Sequence, residues 1–126
     1  MEKNKLSKEQ IEMILDDKYT SIFWIYYLGL MVEDKQLTTD NYLSSNFFKK
    51  GTQYWEEVID KIKAILCNEQ SNTPKEEILA VLNDQNVNIA VYLVTLIANQ
   101  LDVIFSIAIP LVALILNKGL HKFCTN

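Results

Sequence analysis

The most informative hydrophobic pattern of the chain lies between Val87 and Leu116. This segment carries a single charged residue, Asp102. Six of its polar residues recur at alternating spacings of four and three; they are Asn88, Tyr92, Thr95, Asn99, Asp102 and Ser106. At about 100° per residue, all six fall within about 40° of one line along a helix. The pattern predicts a long apolar helix with one narrow polar stripe, which we call the seam.

Local signals bound this C-terminal helix. Asn86 or Asn88 is suited to cap its start, since an asparagine side chain accepts hydrogen bonds from the first free amides. Pro110 is expected to kink or divide it, because proline lacks the amide donor and clashes with the preceding turn. Lys118-Gly119 predicts its end. Residues 120–126 are expected to form a short tail.

Two apolar elements precede it near the N-terminus. Ser7 and Gln10 have the spacing of a capping box, which predicts a first helix beginning there, after a flexible N-terminus at residues 1–6. A break is expected near Tyr19-Thr20. The run from 21 to 32 is apolar and aromatic, predicts a buried helix, and is too short to span a bilayer. Gly29 within it favours close approach of another helix.

Three further helices are predicted in the middle of the chain. One begins at Thr38 or Thr39, includes Tyr42 and Leu43, and ends near Lys50 with Gly51 as its stop. The next is capped by Thr52 and runs from about Gln53 to Cys67. Its apolar residues follow helical spacing: Trp55, Val58, Ile59, Ile62, Ile65 and Leu66. A capping box with proline at the first helical position, Thr73-Pro74-Lys75-Glu76, predicts the third start.

These elements predict an all-α fold in a single domain of residues 1–126. We expect a bundle of about five to seven helices with a long, apolar, Pro110-kinked helix at its C-terminal end. No pair of segments has the alternation expected of paired strands. A chain of 126 residues is long enough to bury a core without disulfide bonds.

The charge of the chain excludes one class of partner. The net charge is −4, and all 12 basic residues are lysine. Arginine supplies the planar fork that contacts phosphates and guanine in two places at once. Its absence, together with the negative charge, predicts that the protein does not bind nucleic acid. The preference for lysine over arginine, with many Ile and Asn, is typical of a low-GC bacterial coding sequence.

The two cysteines, Cys67 and Cys124, bear on the compartment. Residues 1–10 are polar and include no apolar stretch of the kind found in secretory signals. We therefore expect a cytoplasmic protein in which both thiols are reduced, with association with the inner membrane as the alternative.

No catalytic, metal or cofactor motif is present in the sequence. His121 is the only histidine and lies close to the C-terminus, where a tail would not hold it in fixed geometry with Cys124. The chain has three glycines, and they are too far apart to form a phosphate-binding loop. Glu56, Glu57 and Asp60 are expected on the solvent face of their helix. The chain is therefore predicted not to be an enzyme and to bind no metal or cofactor.

The seam leaves three interpretations open. It is a strip of a central helix that reaches solvent, a contact or ligand surface, or the lining of a membrane oligomer. We expect a small non-catalytic interaction protein of regulatory, adaptor, inhibitor or immunity type, whose partner is another protein or a second copy of itself. The alternatives are a membrane-active effector that inserts residues 87–117 and, more weakly, a sensor of a small ligand.

Overall fold

The computed structural model describes residues 6–34 and 45–125. Within these ranges it contains seven α-helices and one short antiparallel pair of strands. Their bounds are α1 Lys8–Leu15, α2 Ser21–Val32, α3 Ser45–Leu66, β1 Cys67–Asn68, β2 Thr73–Pro74, α4 Glu76–Leu82, α5 Ile89–Leu101, α6 Phe105–Lys118 and α7 Leu120–Cys124. The predicted all-α, single-domain fold is confirmed. Of the expected flexible N-terminus, residues 1–5 lie outside the described residues.

The starts of α1 and α2 form as their sequences predict. The Ser7 hydroxyl accepts from the Gln10 amide at 3.1 Å, and the Ser7 amide donates to the Gln10 side chain at 2.8 Å. This reciprocal pair is the predicted capping box. The hydroxyl of Thr20 accepts from the Phe23 amide at 3.3 Å, so α2 begins after the expected break.

Helices α2 and α3 cross at two glycines. A Cβ atom on Gly29 would overlap the carbonyl oxygen of Phe47, which confirms the predicted close approach of another helix. A Cβ atom on Gly51 would overlap the carbonyl oxygen of Ile25. The predicted stop at Gly51 is wrong, because α3 continues through this position and the glycine serves the crossing instead. The predicted start at Thr38 or Thr39 lies outside the described residues, as do Tyr42 and Leu43.

Helix α6 is the centre of the core. It packs against α1, α2, α5 and α7, and every residue from 108 to 115 is buried. Aromatic rings of α2 lie in the same core: Phe23 and Trp24 are buried, with their centroids 5.0 Å apart. The Tyr27 ring lies 5.4 Å from that of Trp24, and burial raises the pKa of Tyr27 above its usual value. The aromatic run of α2 therefore packs mainly into the interior.

The apolar C-terminal segment is not one helix. It is divided at residues 102–104 into α5 and α6, so the prediction of a single long helix kinked or divided at Pro110 is wrong. Pro110 lies inside α6 and is buried. Proline removes only one helical hydrogen bond, and the apolar packing on all sides of α6 holds the turn together. The division arises at Asp102, whose φ of 56° is left-handed and ends α5.

The predicted helix start at Thr73-Pro74 is also wrong. These two residues form β2, which pairs with Cys67 and Asn68 of β1. The Lys75 amide donates to the Leu66 carbonyl at 2.8 Å, and α4 begins only at Glu76, with no side-chain cap. Backbone pairing across the turn between α3 and α4 therefore prevents the helix from starting at the predicted capping residues. Neither strand has the length at which alternation becomes visible in sequence.

The C-terminal residues also differ from the prediction of a tail. Residues 120–124 form α7, in which Leu120, Phe123 and Cys124 are buried. Cys124 is disulfide-bonded to Cys67, and their Cα atoms are 5.5 Å apart. The expectation of two reduced thiols is therefore wrong. His121 is exposed to solvent.

Candidate interaction site at the corner of α5 and α6

The seam residues lie at or near the surface. Asn88, Thr95, Asn99 and Asp102 are exposed, and Tyr92 and Ser106 are half-buried. Five of them belong to α5 and its two caps, whereas Ser106 lies in the first turn of α6. The break in the backbone between α5 and α6 therefore interrupts the line that a single helix would have formed.

Two seam side chains form hydrogen bonds within α5. The Asn88 side chain accepts from the amides of Ala90 at 2.9 Å and Val91 at 3.2 Å, and so caps the N-terminus of the helix. The Thr95 hydroxyl donates to the Val91 carbonyl at 2.9 Å, one turn back. These bonds give both residues a local structural role. The polarity of the seam is thus partly explained by the needs of α5 itself.

Asp102 has a different role, because it turns the chain. Its amide and that of Val103 both bond to the carbonyl of Ala98, the latter at 3.0 Å. The hydrogen bond from Val103 back to Ala98 spans five residues and encloses one residue in the left-handed conformation, which is the pattern of a Schellman C-cap. Glycine is the usual residue there, and aspartate is one of the few others that tolerate it. Asp102 therefore sets the corner and also presents a carboxylate on it.

The corner forms an open groove of about 440 Å³. It combines three seam residues with the apolar residues of the turn; its lining is Thr95, Ala98, Asn99, Asp102, Val103, Ile104 and Phe105. Asp102 is the one charged residue in this lining. Asn88, Tyr92 and Ser106 are not part of it. The structure thus brings together the middle of the predicted seam and leaves its two ends apart.

The apolar part of the groove was not predicted. Ile104 is 51% exposed, among the highest values for a large apolar side chain in the described residues. On a continuous helix Ile104 would have been one more apolar position, so its exposure can be recognised only when the break between α5 and α6 is known. The available signal was Asp102 itself, a residue tolerant of left-handed backbone inside an apolar run.

In ranges 6–34 and 45–125, no three His, Cys, Asp or Glu side chains are grouped so as to hold a metal ion. Cys124 is not available as a nucleophile, because its sulfur is bonded to Cys67. Glu56, Glu57 and Asp60 are exposed on α3, as expected. The groove thus offers hydrogen-bonding groups and apolar surface, which are means of binding.

None of the described helices combines the length and apolar character that crossing a bilayer requires. A scan against protein-family models and searches of curated proteins and of solved structures find no match to this chain.

Proposed function

We propose that this chain is a small non-catalytic interaction protein that binds another protein chain, or a second copy of itself, through the corner of α5 and α6. The observation that carries the proposal is the composition of the groove. The exposed side chain of Ile104 lies beside the hydrogen-bonding groups of Thr95, Asn99 and Asp102. Protein interfaces combine an apolar centre with polar groups that fix orientation.

The shape of the groove supports a macromolecular partner over a small molecule. Small ligands are usually held in concave sites that cover most of their surface, whereas this groove is open to solvent. A partner chain would supply the missing wall. Under this proposal, the regulatory, adaptor, inhibitor and immunity-type roles differ only in which chain binds there.

The test places a photo-crosslinking amino acid at position 104. Its matched control carries the same group at position 82, where Leu82 is 39% exposed on α4 and lies outside the groove. We expect a discrete adduct from position 104 and none from position 82. An adduct of twice the chain's mass indicates self-association, and an adduct of another mass indicates a different protein chain.

A second measurement makes the test quantitative. Ile104→Glu is expected to weaken the association by at least about tenfold, because it places a charge at the apolar centre of the interface. Leu82→Glu should leave the association unchanged. If position 104 gives no adduct, or if both substitutions weaken binding equally, the corner is not the binding surface.

A further inference from the structure

Helix α7 is short and is held by packing against its neighbours and by a disulfide bond. It has five residues, of which Leu120 and Phe123 pack inward. Two residues of α3 contact Phe123. The centroid of the Trp55 ring lies 6.1 Å from that of the Phe123 ring, and the Lys63 ammonium lies 5.6 Å from the centroid of the Phe123 ring. Helices this short are not stable in isolation. Its order therefore comes from docking and from the covalent bond at Cys124.

The junction between α6 and α7 is a single glycine. Gly119 lies between the two helices with a φ of 98°, in the region that favours glycine. Apart from its chain neighbours, no heavy atom lies within 4 Å of where its Cβ would be. Glycine can adopt backbone angles that are closed to other residues, so α7 can change its orientation relative to α6 once its packing and the disulfide are released.

The disulfide fixes the far end of α7 to the end of α3. It joins residues 57 positions apart in sequence, with Cys124 as the last residue of α7. Both cysteines are buried, but Cys67 also lines an open surface depression of about 620 Å³. Residues 68–70, at the end of β1 and in the turn that follows it, form part of the same lining. Of the two cysteines, Cys67 is therefore the one that borders solvent-filled space, and a reductant would enter from this side.

We propose that the Cys67–Cys124 disulfide is a redox latch that holds α7 in place, and that a dithiol opens it. One thiolate of the dithiol attacks the Cys67 sulfur, forms a mixed disulfide there and releases Cys124 as a thiolate that takes up a proton. The second thiol of the reductant then displaces Cys67 as a thiol and closes the reductant's own disulfide. Two electrons and two protons pass to the protein, and the reductant is oxidised by the same amount.

Opening the latch exposes apolar surface that is covered in the oxidised protein. Phe123 and Leu120 leave their sites, and the Trp55 ring loses the aromatic neighbour contributed by α7. The other helices keep packing of their own, because α6 also contacts α1, α2 and α5. Reduction should therefore free the C-terminal helix without unfolding the bundle.

The test is amide hydrogen exchange on the full chain, oxidised and after treatment with dithiothreitol. The amide of Phe123, bonded to Gly119 at 2.8 Å, and that of Thr125 report on α7. We expect reduction to accelerate their exchange by about 100-fold, while the amides of α5 and α6 keep their protection. Thiol labelling should count no reactive cysteine before reduction and two after it.

The matched control is the double variant Cys67→Ser/Cys124→Ser. Its α7 amides should exchange as fast as those of the reduced protein, and dithiothreitol should have no further effect. Chemical reduction of the unaltered chain provides the result even if the variant folds poorly. The latch is overturned if α7 keeps its protection after reduction, if protection is lost throughout the core, or if the native protein carries two free thiols under air.

Discussion

A Cβ atom placed on Gly29 would lie 3.0 Å from the amide nitrogen of Gly51, and one placed on Gly51 would lie 3.0 Å from that of Gly29. The relationship is reciprocal, because the backbones of α2 and α3 touch at this point with no side chain between them. Any larger residue at either position must push the two helices apart. The crossing therefore gives a sharp test of the fold.

The variant Gly51→Ala should lower the free energy of unfolding by about 3 kcal/mol, at the upper end of the usual cost of overpacking. The added methyl group meets the Ile25 carbonyl oxygen, which belongs to rigid backbone. Elsewhere in a helix the same substitution stabilises by about 1 kcal/mol, so the expected sign is opposite to intrinsic helix propensity. Urea denaturation measures it, with Gln53→Ala, an exposed site on α3, as the control. A variant as stable as the parent would contradict the crossing.

Substitutions at Asp102 can separate the effect of its backbone conformation on stability from the effect of its carboxylate on binding. Asp102→Ala should destabilise by about 1 kcal/mol, because alanine lacks the short polar side chain that lets aspartate tolerate a φ of 56°. Asp102→Gly should be at least as stable as the parent protein. Both substitutions remove the carboxylate, so both should weaken binding at the groove equally if that group contacts the partner. Thermal unfolding and a binding titration on the same two variants check the two effects.

Asn88 is expected to act through the helix start and not through a partner. Asn88→Ala should cost about 1 kcal/mol, since two amides of α5 lose their acceptor, and Asn88→Ser should retain most of the stability. Asn86→Ala, in the same exposed loop, should change the stability by less than about 0.5 kcal/mol. Equal losses at the two positions would be inconsistent with Asn88 as the cap.

Tyr27 provides a prediction on pH. Burial raises its pKa above the usual 10.0, so above pH 10 the unfolded chain loses this proton before the folded chain does. The contribution of Tyr27 is therefore fully present below pH 10 and is lost as the pH rises through the folded pKa. Tyr27→Phe should make the fall in stability above pH 10 less steep, as measured by denaturant midpoints across that range. The absorbance of tyrosinate, followed against pH in the folded protein and in Tyr27→Phe, gives an independent measurement of the Tyr27 pKa.

The sequence revealed much of the fold because several elements carry their own local signals. The capping box at Ser7, the break near Tyr19-Thr20 and the small residue at Gly29 act within one turn or one contact, and all three are predicted from the sequence. Gly51 shows the limit of such reasoning. A glycine that ends a helix and a glycine that admits a neighbouring helix look the same until the neighbour is known.

The candidate site was harder to predict than the helices. The seam follows from helical periodicity, but that calculation assumes one straight helix, and the left-handed residue at Asp102 breaks the assumption. Ile104 and Phe105 entered the groove only through that break. The disulfide depends on distance between Cys67 and Cys124 in the folded chain, and no local pattern encodes it.

The bond between Cys67 and Cys124 also changes the connectivity of the molecule. Residues 67–124 form a covalent ring that contains α4, α5, α6 and α7, and the residues before and after it are attached to this ring as two linear ends. A protease that cuts once inside the ring, for example after the exposed Lys118, separates no fragment from the rest. The nicked protein would keep its mass in a denaturing gel and would come apart only when a reductant is added.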